Sequence, residues 1–443
     1  MALNESLNDG LGILDPFAIT QNMSKRDVLE IYVLELLDDW RYQSRVRPPW
    51  NHLLIALYAA MIIFGSLGNF MVIYIVARNS SMRTARNVYV VNLAISDLML
   101  CLITMPLTLV EILYLTWQFG NIEVACRLVG LLQATSVFVS TITITAIALD
   151  RRRLIVGSEQ ESPQDMGKII ATVPLIWGTA LVMASPLAIW KTLEKWTGWT
   201  GDFFRDDKSN CPVYNASNST TTSDENLNDT CILKEIILSH LTELQTCKEV
   251  FPTAGRLAFS IFVLLFQFLL PLVTMLSAYY QICRTLRARL EQRMRQQQVG
   301  ISCNASTRGS QRRNSVLIRN DQRRERNIIR LRRTIKLLCW IGAIFCICWL
   351  PLNILNAVMD ASTAGDAMSD EVFCGIYAVC HVLGMLSACA NPVIYGFLNE
   401  NFSKEFKQIG LWWKTKIQFC TNSIMLYYKQ PREKNCVEND GND

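Results

Sequence analysis

Three polar side chains interrupt long apolar stretches of this 443-residue chain: Asn69, Asp97 and Asn391. Inside a lipid bilayer, an ionisable or amide side chain costs free energy unless it faces other protein groups, a water-filled cavity or an ion. Their presence in such surroundings therefore needs a reason, and the three residues are candidates for function.

A second candidate is the pair Asp150-Arg151, which stands at the end of another apolar stretch. An arginine in that place needs an anionic or carbonyl partner. It can pair with Asp150 in one state and meet a cytoplasmic partner in another, which is the two-state element that a switch requires. The alternative is an arginine that merely extends its side chain to the lipid headgroups.

Seven apolar stretches position these residues, and each is long enough to cross a bilayer as one helix of about 20 residues. Near-continuous apolar runs such as Leu257–Leu276 differ from the helical-period stripes of a soluble all-α protein. The predicted fold class is an all-α membrane protein with a seven-transmembrane-helix bundle over residues 52–397. The stretches cover residues 52–77, 88–115, 124–149, 169–190, 257–283, 335–359 and 372–397.

The charges between the stretches predict the orientation of the bundle. Arg78, Arg83 and Arg86 follow the first stretch, and the segment 287–331 is dense in arginine, whereas the alternate connections are more acidic. Because basic loops stay in the cytoplasm, the N-terminus is predicted to be extracellular in a multi-pass protein of the cell membrane. The net charge of +5 is therefore a topology signal and does not indicate a nucleic-acid partner. Glycosylation triplets on the predicted outer side begin at Asn4, Asn22, Asn215, Asn218 and Asn228.

Four segments lie outside the predicted helices. They are an extracellular tail over 1–51, a long outer loop over 191–255, a basic inner loop over 287–331 and a cytoplasmic segment over 398–443. In the last segment, Asn399–Trp413 carries Phe402 and Phe406 on one face, which predicts a short interfacial eighth helix. Cys420 beyond it is a candidate for palmitoylation.

Short strings in successive helices resemble the rhodopsin-like G-protein-coupled receptors over roughly residues 50–413. Each string is weak alone, and the resemblance rests on all of them in order, with Cys126 on the outer side. The strings are Gly68-Asn69, Leu93-Ala94-Ile95-Ser96-Asp97, Asp150-Arg151-Arg152, Trp177, Cys348-Trp349-Leu350-Pro351 and Asn391-Pro392-Val393-Ile394-Tyr395.

The resemblance implies roles for particular residues. It implies a disulfide between Cys126 and Cys247, with Cys211 and Cys231 as a second candidate pair and Cys374 unassigned. It also implies an allosteric Na⁺ site at Asp97, Ser140 and Asn391, and no other cofactor. A heterotrimeric G protein, and arrestin after it, are the implied cytoplasmic partners. The switch and coupling residues would be Asp150, Arg151, Tyr279, Trp349, Asn391, Pro392 and Tyr395.

Departures from the family pattern lie at the same cytoplasmic face and near the sodium residues. Arg152 replaces the usual aromatic residue, and Ser158 stands where many relatives have proline. Ser387 and Ala388 depart from the commonest form of the sodium pocket. A non-signalling seven-helix peptide binder therefore remains an alternative to a receptor that activates a G protein.

Gln133 stands where receptors for small amines carry an aspartate, which argues against an amine ligand. The strings from Met82 to Asn87, from Ala94 to Asp97 and from Thr104 to Leu109 resemble the neuropeptide Y receptor family, and most of all its invertebrate neuropeptide F receptors. Ligands of that family end in an Arg-x-Arg-aromatic amide, and coupling to an inhibitory G protein is expected. The implied peptide-contact residues are Thr108, Gln133, Gln267, Asn356, Asp360 and His381.

Other interpretations of the same residues stay open. Gln267 and Asn356 could form interhelical hydrogen bonds instead of ligand contacts. Another amidated peptide would fit the same pocket chemistry. A transporter or channel would show internal repeats, broken helices or charged rings, and the sequence shows none of these.

Overall fold

The computed structural model describes residues 31, 44–114, 116–156, 166–195, 245–304, 329, 336, 339–361 and 370–429. Within these residues, seven helices are long and apolar enough to cross a membrane, at the places that the sequence predicts. They are α1 (Trp50–Arg78), α2 (Ala85–Leu113), α3 (Glu123–Val156), α4 (Met166–Trp190), α5 (Thr253–Asn304), α6 (Cys339–Ala361) and α7 (Asp370–Leu398).

The helix surfaces are those of a membrane protein. Large apolar side chains such as Val182 and Ile347 are 73% and 70% exposed, which would be costly in water but suits contact with lipid tails. The polar residues singled out from the sequence lie inside instead, with Asn69 1% and Asp97 2% exposed. The apolar exterior and the polar interior together confirm the predicted bundle.

Helix α3 is the central element, because it packs against α2, α4 and α5, while α1 packs against α2 and α7. A polar contact fixes three of these helices together. The Asn92 side chain donates to Thr143 at 2.7 Å, and Trp177 donates its indole N–H to Asn92 at 2.9 Å. Inside a membrane such hydrogen bonds specify which helices are neighbours.

In the described part of the chain, two helices contain a π-helical segment, in which each hydrogen bond spans one extra residue. The segments are Leu100–Thr104 within α2 and Leu264–Leu269 within α5. Each is followed at once by a prolyl peptide, with Pro106 just after the first and Pro271 just after the second. Because proline lacks an N–H and its ring crowds the preceding turn, a widened turn accommodates it. The second segment contains Gln267. Its wider turn points the Gln267 side chain in a different direction from that in a regular α-helix.

A two-stranded antiparallel sheet lies next to α3 and α4, on the predicted extracellular side. Strand β1 (Lys191–Lys195) pairs antiparallel with β2 (Gln245–Glu249), and Leu193 lies opposite Cys247. A disulfide joins Cys247 to Cys126 at the outer end of α3, which confirms the predicted bond. Cys211 and Cys231 lie outside the described residues, as do the five glycosylation triplets and Ser158, so these predictions stay untested.

The eighth helix is present and longer than predicted. Helix α8 covers Glu400–Lys429 and does not end near Trp413. No glycine or proline follows Gly410 until Pro431, and exposed apolar side chains continue through Ile417 and Phe419. Helix α5 also exceeds its prediction, because it continues to Asn304 through the first part of the proposed inner loop, which is rich in good helix formers.

Candidate functional site

A cavity of about 590 Å³ opens between the outer halves of the helices, beneath β2. Its volume lies within the roughly 300–1,000 Å³ that is usual for ligand sites. Trp349 forms part of its lining from α6. The structure brings five of the six predicted contact residues to this cavity: Thr108, Gln133, Gln267, Asn356 and Asp360.

The sixth predicted contact, His381, is fully buried behind Gln133 and forms part of a polar chain. Thr108 donates its hydroxyl to the Gln133 side-chain oxygen at 3.2 Å, and the Gln133 nitrogen lies 3.2 Å from Nε2 of His381. The other ring nitrogen of His381 lies 2.5 Å from the Tyr58 hydroxyl. These hydrogen bonds link α2, α3, α7 and α1. The linked side chains present only uncharged groups to the inner part of the cavity.

Tyr58 was not predicted from the sequence. It lies on α1, it is fully buried, and its ring stacks against His381 with the ring centroids 6.0 Å apart. Because it bonds the imidazole nitrogen that faces away from Gln133, it fixes the orientation of the ring. The only available signal was a tyrosine within an apolar span, which is common at membrane interfaces for other reasons.

The outer rim of the cavity carries charges, unlike its inner part. Asp360 on α6 receives an ion pair from Arg256 on α5, with Arg256 Nε 2.5 Å from Asp360 Oδ1. The Ser260 hydroxyl donates to the second carboxylate oxygen. Across the rim, Lys191 on β1 pairs with Glu111 on α2 at 3.1 Å. Asp360 thus lies at the rim of the cavity, but its carboxylate is paired and only 7% exposed, so it is not a solvated rim residue.

Glu249, at the end of β2, is a second rim acid that the sequence prediction missed. Its side chain is accessible from the cavity, and among the described residues it has no direct ion-pair partner. Surrounding protein desolvates the carboxylate and raises its pKa, although the nearby charges of Lys191 and Arg256 act in the opposite direction. The disulfide at Cys247, two residues earlier, holds Glu249 at the cavity mouth.

A second polar cluster lies deeper, between α1, α2, α3 and α7. Asn391 donates to the Asp97 carboxylate at 2.7 Å, and Asn69 donates to the backbone carbonyl of Ala388 at 2.9 Å. Ser140 hydrogen-bonds Ser96 at 3.0 Å. Among the described residues no lysine or arginine pairs with Asp97, and the buried side-chain oxygen of Asn69 has no donor. A buried carboxylate without a cationic partner among the described residues, together with the unsatisfied side-chain oxygen of Asn69 in the same cluster, suits a small cation.

Trp349 connects the cavity to this deeper region. Its indole N–H donates to the Ser387 hydroxyl at 2.9 Å, and a side chain at Gly384 would lie only 3.3 Å from its ring. Ser387 and Gly384 are both on α7, so a ligand that displaces Trp349 acts on α6 and α7 together. This contact gives Ser387, noted above as a departure, a role as the partner of Trp349.

Comparison with known proteins agrees with this geometry. Residues 68–228 and 231–395 match the family described as 7 transmembrane receptor (rhodopsin family). The neuropeptide F receptor of Drosophila melanogaster is 37% identical over 375 residues, which are 84% of this chain and 65% of that receptor. The putative neuropeptide Y receptor 11 of Caenorhabditis elegans is 30% identical over 353 residues, covering 80% of this chain and 73% of that protein. The chain belongs to the neuropeptide Y receptor group of the rhodopsin family.

A vertebrate relative supports the same grouping. The neuropeptide Y receptor type 6 of Mus musculus is 28% identical over 374 residues, covering 83% of each chain. The chain covers 65% of the length of the fly receptor, which is slightly less than two thirds.

The predicted cytoplasmic face of this receptor holds the remaining predicted residues. Arg151 is half-buried beside Asp150 at the end of α3. Arg152, which replaces the usual aromatic residue, donates its Nε–H to the Gln281 side chain on α5 at 2.7 Å. Arg152 thus has a structural role here, which joins α3 to α5.

The two predicted switch tyrosines of the receptor lie in different surroundings. Tyr395 is buried and packs against Phe402 of α8 with the ring centroids 5.6 Å apart, whereas Tyr279 on α5 is 43% exposed. Pro392 packs closely against Gly68 of α1. Cys420 lies within α8, and its palmitoylation stays a prediction.

Proposed function

We propose that this receptor binds a C-terminally amidated peptide of the neuropeptide F/Y type in its outer cavity and activates a heterotrimeric G protein of the inhibitory class. The observation that carries the proposal is the division of the cavity into an uncharged inner part and a rim of charged residues that includes the acids Glu249 and Asp360. The proposal includes an extracellular N-terminus, because the cavity must open towards the peptide.

The inner part suits the amidated terminus. A primary amide has two donors and one acceptor, and the Thr108, Gln133 and His381 side chains offer both kinds of group. Gln133 takes the position where amine receptors carry an aspartate, so a cationic group would find no countercharge at this depth. A free carboxylate would find none either, because His381 is fully buried and its ring nitrogens face Gln133 and Tyr58.

The rim suits the cationic residues that precede the amide. Asp360 and Glu249 both line the cavity, and a guanidinium binds a carboxylate through two parallel hydrogen bonds. Gln267 and Asn356 line the wall between the two parts, where their amides can bond the peptide backbone. A ligand with charged residues near an uncharged terminus would match this order.

Signalling would pass from the cavity through Trp349 to the cytoplasmic face, where Arg151 would meet the G protein. A sodium ion belongs to the same proposal: Asp97, Ser140 and Asn391 would hold it, and its charge would balance the buried carboxylate. The burial of Asp97 and the unsatisfied oxygen of Asn69 support that fit.

The test is a G-protein activation assay in cells that express the receptor. Synthetic peptides ending in Arg-Ala-Arg-Phe-amide should lower stimulated cyclic AMP, and the same peptides with a free C-terminal carboxylate should be at least tenfold weaker. Asp360→Asn should reduce potency several-fold, because a cationic side chain of the peptide would lose its carboxylate partner. Surface expression, measured with an antibody tag, should stay unchanged.

A second candidate function is a peptide binder that does not signal, and Arg152 favours it because its bond to Gln281 ties α3 to α5. In that case a labelled amidated peptide would bind to the cells without any change in cyclic AMP or G-protein dissociation. Failure of every amidated peptide to bind would reject both functions.

A further inference from the structure

Each carboxylate oxygen of the rim acid Asp360 already has a partner within the receptor. Arg256 Nε lies 2.5 Å from one carboxylate oxygen, the Ser260 hydroxyl bonds the other, and the side chain is only 7% exposed. An incoming guanidinium would need both oxygens for two parallel hydrogen bonds. Because so little of the carboxylate is exposed, a ligand guanidinium must displace Arg256 to bond both oxygens.

The two partners of this ion pair differ in solvent exposure. Asp360 is held from two sides, whereas the Arg256 side chain is 51% exposed on the outer end of α5. An arginine that is half in water loses little when it leaves its partner, because solvent replaces part of the interaction. Arg256 is therefore the partner that moves.

Arg256 has another carboxylate within electrostatic range. Glu249 lines the same rim, feels the charge of Arg256, and has no direct ion-pair partner among the described residues. After displacement, the guanidinium of Arg256 can stay near Glu249 rather than pass fully into water. The exchange of one cation for another at Asp360 then leaves the charge of the rim balanced.

From this arrangement we infer that Arg256 is an internal occupant of the Asp360 subsite, which a cationic side chain of the ligand replaces when it binds. This inference rests on the proposed function, because it assumes a ligand with a guanidinium group. It makes Arg256 a specificity-determining residue: a ligand group gains at Asp360 only if it bonds the carboxylate better than a tethered arginine does. Neutral groups and weakly pairing ammonium groups are thereby excluded.

The test uses the full-length receptor and the peptide ending in Arg-Ala-Arg-Phe-amide, with analogues in which each arginine in turn is citrulline, a neutral group of nearly the same shape. Arg256→Gln should raise the potency of the parent peptide roughly three- to tenfold, because the competitor is gone. It should also enlarge the loss caused by citrulline at the position that meets Asp360. In the Asp360→Asn background the gain from Arg256→Gln should disappear, since the two positions are coupled.

Salt dependence provides an independent readout. In the wild type a cation replaces a cation, so the binding step at Asp360 changes no net charge. In Arg256→Gln the acid has no countercharge before binding, so potency should fall more steeply with added salt. Arg256→Lys should show a smaller gain in the same direction, since an ammonium group lacks the planar fork of arginine. The Arg256→Lys variant also keeps the test possible if Arg256→Gln does not reach the cell surface.

Arg127→Gln is the matched control. Arg127 also forms an ion pair on the outer side, with Glu123 at 2.6 Å, but neither residue lines the cavity, and this variant should keep wild-type potency and salt dependence. If Arg256→Gln lowers potency or leaves it unchanged, Arg256 positions Asp360 or is irrelevant, and the inference is wrong. If no arginine-containing amide activates the wild type, the proposed function itself has failed, which is a separate result.

Discussion

The close approach of α1 and α7 at Gly68 leads to a quantitative prediction. A Cβ atom built at Gly68 would lie 2.9 Å from both Cβ and Cγ of Pro392, about 0.5 Å inside ordinary carbon–carbon contact. The proline ring cannot rotate away, and Asn69, the next residue, holds the same interface through its bond to the carbonyl of Ala388. Gly68→Ala therefore forces the two helices apart and strains that hydrogen bond.

The magnitude follows from two opposing effects. Overpacking of a tight contact costs about 1–3 kcal/mol, whereas alanine in place of glycine stabilises a helix by about 1 kcal/mol. Gly178→Ala isolates the second effect, because a side chain at Gly178 of α4 would meet nothing within 4 Å. Gly178→Ala should be neutral or slightly stabilising, and Gly68→Ala should be less stable than it by about 1–3 kcal/mol.

The assay is thermal denaturation of the purified receptor in detergent, with wild type, Gly68→Ala and Gly178→Ala compared side by side. The melting temperature of Gly68→Ala should fall by several degrees below that of the control variant. Equal melting temperatures for the two variants would refute the reasoning, because the contact with Pro392 would then carry no energetic weight.

Two further predictions concern the ionisable groups of the receptor. Glu249 binds a cation only when deprotonated, and its raised pKa means that it takes up a proton at a higher pH than an ordinary glutamate, so agonist potency should fall as the pH is lowered towards 5. Lys191, Arg256, Asp360 and Glu111 also surround Glu249, so the wild type must be compared with Glu249→Gln. Agonist potency at Glu249→Gln should change less over that pH range. Identical pH profiles for the two receptors would show that Glu249 does not bind the cation of the ligand. Replacement of sodium by choline should change agonist affinity in the wild type, whereas Asp97→Asn should abolish this dependence; a variant that stays sodium-sensitive would place the ion elsewhere.

The sequence predicts the fold well because the bilayer restricts the choices. A span must be a helix of about 20 apolar residues, and loop charges set its direction, so seven segments and their order follow from local composition. Details that depend on other forces were not predictable. The π-helical segment Leu264–Leu269 is as apolar as its neighbours, and the extension of α8 to Lys429 depends on helix propensity outside the membrane.

The candidate site follows the same division. Helical spacing gives the depth of Thr108, Gln133 and Asp360 along their own helices, and all three line the cavity. Spacing does not give the rotation of one helix relative to another, so the ion pair between Arg256 and Asp360 had no signal in the sequence. Glu249 lies at the end of β2, and the pairing of β2 with β1 together with the Cys126–Cys247 disulfide determines which residue reaches the cavity.

The placement of charge explains why the rim contributes to specificity more than to affinity. Burying an ionised group deep in the bundle would cost more than its pairing returns, so the inner cavity uses neutral amide, hydroxyl and imidazole groups. At the rim, solvent lowers the free-energy cost of a charged side chain. Each rim acid already has a cation close by, because Lys191 pairs with Glu111, Arg256 pairs with Asp360, and both cations lie near Glu249. A ligand therefore exchanges partners instead of creating new ion pairs, and its net electrostatic gain is small. A ligand whose groups cannot replace Arg256 at Asp360 binds weakly. The rim therefore achieves specificity by disfavouring the wrong ligands.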